Sequence, residues 1–425
     1  MTKLANLAAY GQSCLDWARE NLDSYQSPMA VEAALASVNA YPNLNNLKAP
    51  QSLMVLEERP DRGRLLALGR EAVLSGRIFW EHTAAGEGTR LGLGPKFFVK
   101  SSELSGEPRP KQENLPLGLR HLIQLVFEIY RLSEESGQDP VRVLRRQKML
   151  IIASQDSINE TVRLTLKTFS PLIPPENFLF LAQASFYGLN RQPGGDWYFD
   201  QNSPRRLHNH GAMAIQKIMD EQVFRQIAIG GQEDSFQYLR DWEFFKLLEE
   251  SWDLVSYNIE DLDYLTRALD FETLGLAVAC GQAGCGMVME ILGNNPERPI
   301  KGGMCAYDEV LGRDVMIESF RLKDIQPRDI RYLNKNFNHY PNPALVLGRL
   351  KEEGLFLPAV VHDQRLYFQP VQGDLNFLVA TVFFTRQNAK SINSLKSKAD
   401  VPSALAAMYA QDRQPGFLGL MDVFG

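Results

Sequence analysis

The sequence predicts an α/β protein built on a Rossmann-like, mixed but mostly parallel sheet with helices on both faces. Short, nearly continuous apolar runs at Ile78-Phe79-Trp80, Lys148–Ser154 and Phe178–Ala182 have the pattern of central parallel strands. These runs alternate with amphipathic stretches. Leu119–Ser136 places Leu122, Ile123, Val126, Phe127 and Tyr130 on one helical face, and Ser157–Phe169 reads as the helix after the second run. Strand–helix–strand repetition of this kind covers both faces of a sheet, and its ligands lie beyond the carboxyl ends of the strands.

Bulk properties narrow the function. With 425 residues the chain buries a large core, and 44% hydrophobic against 23% charged residues is ordinary for a globular protein. A net charge of −6 argues against a nucleic-acid partner, which requires a basic face. Residues 1–10 lack the basic start and long apolar run of a signal peptide, and no stretch has the apolar length of a membrane span. Cys14, Cys280, Cys285 and Cys305 form no paired C-x-x-C pattern, and so few cysteines suit a reducing compartment. The expected location is the cytoplasm, with no membrane contact.

The chemistry concentrates in Ala84-Ala85-Gly86-Glu87-Gly88-Thr89-Arg90-Leu91-Gly92-Leu93-Gly94-Pro95-Lys96, directly after the first strand. Small residues let the backbone turn sharply and approach a ligand. Successive N–H groups in such a turn form an anion-binding concavity, and Arg90 and Lys96 add charge beside it. Two commoner phosphate loops are excluded. Leu91 stands where a dinucleotide fingerprint needs its last glycine, and Lys96 is followed by Phe97 rather than Ser or Thr. The remaining pattern, G-x-G-T-R-L-G-x-x-P-K, resembles the signature loop of UDP-sugar pyrophosphorylases, most closely the UDP-N-acetylhexosamine enzymes.

Further motifs follow in the order of that family, over roughly 76–400. Leu207-His208-Asn209-His210-Gly211-Ala212 resembles a hybrid of its G-N-G-G and G-H-G-D turns. The resemblance implies that Gln183, Asn209, His210 and Gly211 contact substrate, with His210 a donor to a phosphate or the sugar. His208 and His210 alone make no metal site without further ligands. Asn258-Ile259-Glu260-Asp261 falls at a strand end where relatives read V-D-N or I-D-N. Magnesium takes one or two carboxylates plus phosphate oxygens and water, so Glu260 or Asp261 is the candidate ligand for Mg²⁺. Ala268–Gly275 resembles A-D-P-x-F-I-G. Met287–Ile291 and Ile300–Cys305 read as strands around a loop and resemble M-E-V and V-K-G-G. Val315–Ser319 resembles V-V-E-Y, which would make Glu318 a sugar-hydroxyl acceptor. Leu333–Tyr340 resembles F-N-x-G-N-I-x-N-H-F in shortened form, with Asn334 or Asn336 the sugar contact. Leu395–Asp400 resembles a segment whose lysine reaches the reacting phosphates, here Lys396 with Lys398 as competitor.

The expected organisation is a helical N-terminal cap over 1–75, a catalytic domain over 76–340 and a short C-terminal α+β region over 341–425. That region is expected to contain a long helix over Asp374–Ala389 and to leave no room for the β-helix domain in which relatives usually end. The resemblance implies the nucleotide-diphospho-sugar transferase fold and the reaction UTP + sugar 1-phosphate → UDP-sugar + pyrophosphate. Ala85, Gly86, Glu87, Gly88 and Thr89 would bind the nucleotide. Arg90 would hold the leaving phosphates, and Lys96 and Lys396 the phosphates at the reacting centre. The acids after Asn258, Ala212 in place of a second glycine, and the shortened amide motif depart from the family pattern. They keep open a non-catalytic sugar-nucleotide-binding protein of the same fold.

Overall fold

The computed structural model describes residues 6–25, 28–86, 88, 91–192, 195–229, 232–388 and 393–419. Its centre is a thirteen-stranded sheet. In chain order the strands are β1 (Leu47–Lys48), β2 (Met54–Val55), β3 (Ile78–Thr83), β4 (Lys148–Ser154), β5 (Phe178–Gln183), β6 (Val223–Ile229) and β7 (Gln232–Tyr238). They continue as β8 (Asp253–Asn258), β9 (Met287–Gly293), β10 (Met304–Asp308), β11 (Arg313–Ile317), β12 (Tyr332–Pro341) and β13 (Thr381–Thr385). The main path runs β7-β6-β5-β4-β3-β8-β12-β9-β13-β2, with β1, β10 and β11 branching from β12. Strands β5, β4, β3 and β8 are mutually parallel, as are β9, β13 and β2, whereas β12 lies antiparallel between β8 and β9.

The longer helices are α1 (Leu7–Leu22), α2 (Pro28–Val38), α3 (Arg62–Leu74), α4 (Leu117–Glu135), α5 (Ile158–Phe169), α6 (Asn209–Lys217), α7 (Asp241–Glu249), α8 (Phe271–Gln282), α9 (Pro343–Glu353) and α10 (Val401–Asp412). Alternation along the strands sorts them into two layers. Ile78 and Trp80 of β3, Met149 and Ile151 of β4 and Tyr257 of β8 face the layer built from α3, α4, α5, α8 and α10. Phe79, Leu150 and Leu254 face the opposite layer, built from α1, α2, α6, α7 and α9. The expected α/β architecture is therefore the one observed. A smaller four-stranded sheet pairs Leu189–Arg191, Trp197–Phe199, Ala359–His362 and Arg365–Phe368.

Both ends of the chain contribute to the main sheet: β1 and β2 come from the first 75 residues and β13 from the last 85. Two expectations need correction. Residues 374–388 are no long helix: a 3-10 segment, Gln372–Phe377, is followed by β13, and Ala389 lies outside the described residues. The β-branched and aromatic run Thr381-Val382-Phe383-Phe384-Thr385 suits a pleated strand better than a helix. Residues 300–303 are not strand, which begins only at Met304.

Candidate active site

Parallel neighbours β3 and β8 end in register, Thr83 opposite Asn258, and the glycine loop leaves the sheet there. The Ala84 N–H donates to Ile152 O at 2.7 Å, so the loop is anchored to β4 as well. It then closes on itself, with Lys96 N–H donating to Gly86 O at 3.1 Å and Leu91 N–H to Gly88 O at 2.8 Å. Gly88 has φ of 59°, and a Cβ there would lie 2.4 Å from Gly94 O, so this position requires glycine. Ala85 is buried under the turn. Glu87, Thr89 and Arg90 lie outside the described residues.

Lys96 is 4% exposed, and its ammonium forms an ion pair with Glu260. Glu260 sits on a tight turn after β8, where Asn258 accepts from both Glu260 N (side chain, 3.0 Å) and Asp261 N (backbone, 2.9 Å). A second segment docks on that turn from 130 residues away: Leu262 N–H donates to Asn393 O and Leu395 N–H to Glu260 O, with Ser394 bridging Asp261. Lys396 follows directly. Asp400 accepts from the N–H groups of Lys396 and Ser397 and so fixes the backbone that carries it. Lys96, Glu260, Asp261 and the Lys396 segment, scattered in sequence, thus meet beside the loop, with Lys396 and Lys398 both exposed.

The two candidate metal ligands differ. Glu260 is partly exposed, with Lys96 on one oxygen. Burial, and then Asp263 beside it, pushes the Asp261 carboxyl up to about 6, and one of its oxygens accepts the Asp263 N–H. Among the described residues no three carboxylate, histidine or cysteine groups converge into a self-sufficient metal site. A Mg²⁺ completed by substrate phosphates and water still fits, because it asks for only one or two carboxylates.

Across the sheet, Gln183 at the carboxyl end of β5 donates its amide to Asn209 O at 3.0 Å. Asn209 starts α6 with φ of 42°. His208, the residue before it, is not paired with His210: its Nδ1 meets Tyr10 OH at 2.9 Å and its ring stacks on Phe186. His210 turns instead toward the segment Pro370–Asp374, where its Nδ1 accepts the Gln372 N–H at 2.9 Å. Gly211 admits this strap, since its N–H donates to Pro370 O and a Cβ would lie 2.3 Å from the Pro370 carbonyl carbon. Glu318 lies on the far side of the same strap. Its carboxylate oxygens lie 3.1 Å from the point a Cβ on Gly373 would occupy and 3.5 Å from that on Gly303. Burial, then the Asp374 carboxylate, pushes the Glu318 carboxyl up to about 7. Asn334 is buried on β12 and donates its N–H to Gly303 O at 3.0 Å. Asn336 is on the same strand, but its side chain lies outside the described residues.

Sequence reasoning missed the strap 370–374 and the polar cluster under it. Glu81 of β3 and Lys217 of α6, both fully buried, form an ion pair; Ser256 donates to Glu81 at 2.7 Å and Gln372 at 3.4 Å. The available signal was Glu81 itself, an acid inside the apolar run that starts at Ile78. It also missed Lys335, which meets Glu290 at 2.9 Å beside Arg386.

No protein-family model matches the sequence, and no curated protein matches it. Solved structures do resemble the fold. The UDP-N-acetylglucosamine pyrophosphorylase of Trypanosoma brucei aligns over 95% of this chain and 80% of its own, at 16% identity and a TM-score of 0.59. A UDP-glucose pyrophosphorylase variant from Leishmania major aligns over 94% and 79%, at 14% identity and a TM-score of 0.54. The chain therefore has the fold of the UDP-sugar pyrophosphorylases, a nucleotide-diphospho-sugar transferase fold.

Proposed function

We propose that the protein is a uridylyltransferase that forms UDP-sugar and pyrophosphate from UTP and a sugar 1-phosphate of the glucose or N-acetylhexosamine type. The observation that carries this reading is the convergence of the glycine loop, Lys96, Glu260 and the Lys396 segment at the carboxyl ends of β3 and β8. The shared fold supports it. A sugar-phosphate oxygen attacks the α-phosphorus in line; the new P–O bond forms as the bond to the bridging oxygen breaks, and pyrophosphate leaves. The attacking phosphate is already anionic, so no side-chain base is needed, and the protein's contribution is positioning and charge neutralisation. The loop N–H groups and Arg90 would hold the leaving phosphates, with Lys96 and Lys396 on the reacting ones. In the complex, phosphate oxygens would compete with Glu260 for the Lys96 ammonium. Glu260, the less enclosed of the two acids, would hold Mg²⁺ together with substrate oxygens; when bound, the ion neutralises triphosphate charge. Asn209, His210, Glu318, Asn334 and Asn336 would take the sugar phosphate. Among the described residues no helix is long and apolar enough to cross a membrane, and a cytoplasmic site of action is part of the proposal.

Pyrophosphate release from UTP with a panel of sugar 1-phosphates tests the reading, with TTP, GTP and CTP as competitors for UTP. One observation favours a second reading, binding without turnover: the pairing of Lys96 with Glu260 occupies both groups. Calorimetric binding of UDP-sugar with no pyrophosphate released in the presence of Mg²⁺ would establish that reading and remove the first.

A further inference from the structure

The hydrogen bond between Gln372 and His210 carries more information than a contact. A backbone N–H can only donate, so the nitrogen 2.9 Å away, His210 Nδ1, must offer its lone pair. An imidazole that accepts at Nδ1 is neutral and carries its proton on Nε2. Burial also holds His210 down to about 4, so the neutral ring is the form present near pH 7. Nε2 has no hydrogen-bond partner among the described residues, and the side chain is only partly buried. His210 lies in the first turn of α6, next to Asn209, whose carbonyl accepts the Gln183 amide, so Nε2–H is a donor left free among the described residues.

The donor is held from below. Pro370 O takes the Gly211 N–H, and the Gln372 amide reaches Glu81, whose other carboxylate oxygen pairs with Lys217 of the same helix that carries His210. Strap and helix are thus tied to each other and to β3. The Asp374 carboxylate of the same strap bonds Arg321 at 3.0 Å, and Gly373 packs on Glu318, so one short segment touches both sides of the candidate sugar-phosphate site.

We propose that the Gln372 N–H is a positioning group that locks His210 as the Nε2–H tautomer, making it a fixed donor to a phosphate or hydroxyl oxygen of the substrate. The substrate part rests on the uridylyltransferase reading; the tautomer lock does not. The backbone permits a clean test. Gln372 is the first residue of a 3-10 segment, a position where proline is tolerated, and Val371 before it has φ −121° and ψ 138°, which suits a residue preceding proline. Gln372→Pro therefore removes the N–H with little backbone change, while Gln372→Ala removes the side chain and keeps the N–H.

The full chain, labelled with ¹⁵N-histidine, is measured by NMR at neutral pH, and His210→Gln assigns the resonance among the six histidines. The expected result is a bare Nδ1 and a protonated Nε2 in the wild type and in Gln372→Ala, and appearance of the Nδ1–H form in Gln372→Pro. A wild-type His210 that carries its proton on Nδ1, or is doubly protonated, overturns the lock without any variant having to fold. In turnover assays Gln372→Pro should lose about five- to tenfold in kcat/KM, the scale of one net hydrogen bond. His210→Gln, whose amide N–H reaches the Nε2 position, should retain more than His210→Asn. Equal losses in those two, or in Gln372→Ala and Gln372→Pro, overturn the donor role. If the wild type shows the lock but makes no UDP-sugar, the functional reading fails and the tautomer assignment stands.

Discussion

The two faces of β3 support the site by opposite means. On one face His82 lies against Tyr257 and Tyr264, and His121 of α4 stacks on Tyr264 at 5.1 Å between ring centres. This floor, which lies beside the start of the glycine loop, is neutral: burial pushes both imidazoles down to about 3. Among the described residues His82 Nε2 and both ring nitrogens of His121 have no hydrogen-bond partner. On the other face, under His210 and the strap, the floor is ionic. Glu81 pairs with Lys217, and Asp374 with Arg321, which lies 4.2 Å over the ring of Phe356. Adjacent residues of one strand, Glu81 and His82, therefore belong to different electrostatic regimes. A neutral floor fails when protons are added, and an ionic floor fails when one partner is removed.

The largest expected effect breaks the ionic face. Lys217→Met leaves Glu81 buried without a countercharge and should destabilise the fold by about 3–5 kcal/mol, read by denaturant unfolding. Adding Glu81→Gln should recover most of that loss, because the cost comes from the orphaned charge. A single variant as stable as the wild type would mean that the pair does not hold this face. Next in size is the chemistry above. Lys396→Ala or Lys96→Ala should lower turnover at saturating substrate by about 10²-fold, the scale of a lost preorganised donor. Near-normal turnover in both would remove these lysines from the mechanism. The neutral face should fail in acid. Folded His82 and His121 titrate near 3 and unfolded histidine near 6.5, so the unfolded chain takes protons first as pH falls. Their contribution is complete above about pH 6.5 and is lost toward 3, by on the order of 2 kcal/mol per ring at about pH 5. Thermal melts across that range check it, and His121→Phe should remove about half of the slope.

The same contrast explains how much was legible beforehand. Strands β4 and β5 announce themselves because both of their faces are buried and most of their residues are apolar, and β3 does so through its first half, Ile78-Phe79-Trp80. The glycine loop is legible because its shape sits in local backbone geometry, which a contiguous motif encodes. Strand β12 was not: its amide-rich run was legible only as a resemblance to a sugar-contact motif, yet Asn334, Lys335, Asn338 and His339 lie in mid-sheet. Part of what holds them is partners far along the chain, Glu290 for Lys335 and Asp253 for His339. Lys96 and Glu260 belong to separate motifs, and no local pattern shows that residues 164 apart form an ion pair. The strap 370–374 failed for the same reason. Its role is to fit against Gly211 and Glu318, and complementarity of that kind has no periodicity to read.

The smallest expected effect has the opposite sign of pH dependence and so sharpens the contrast. Glu318 titrates near 4.5 when unfolded and near 7 when folded, because burial, with Asp374 beside it, disfavours its charge. The folded state thus holds the proton longer, and the strain of this carboxylate grows as pH rises from about 4.5 to 7. Glu318→Gln should therefore stabilise the protein at pH 8, by on the order of 1 kcal/mol after allowance for solvent screening, and do nothing near pH 4.5. The same variant should bind the sugar phosphate a few-fold more weakly, since an amide replaces an acceptor. Melts at the two pH values, alongside KM for the sugar 1-phosphate, separate the effects. A variant less stable at pH 8 would show that Glu318 is engaged in the folded protein itself and not held in reserve for a ligand.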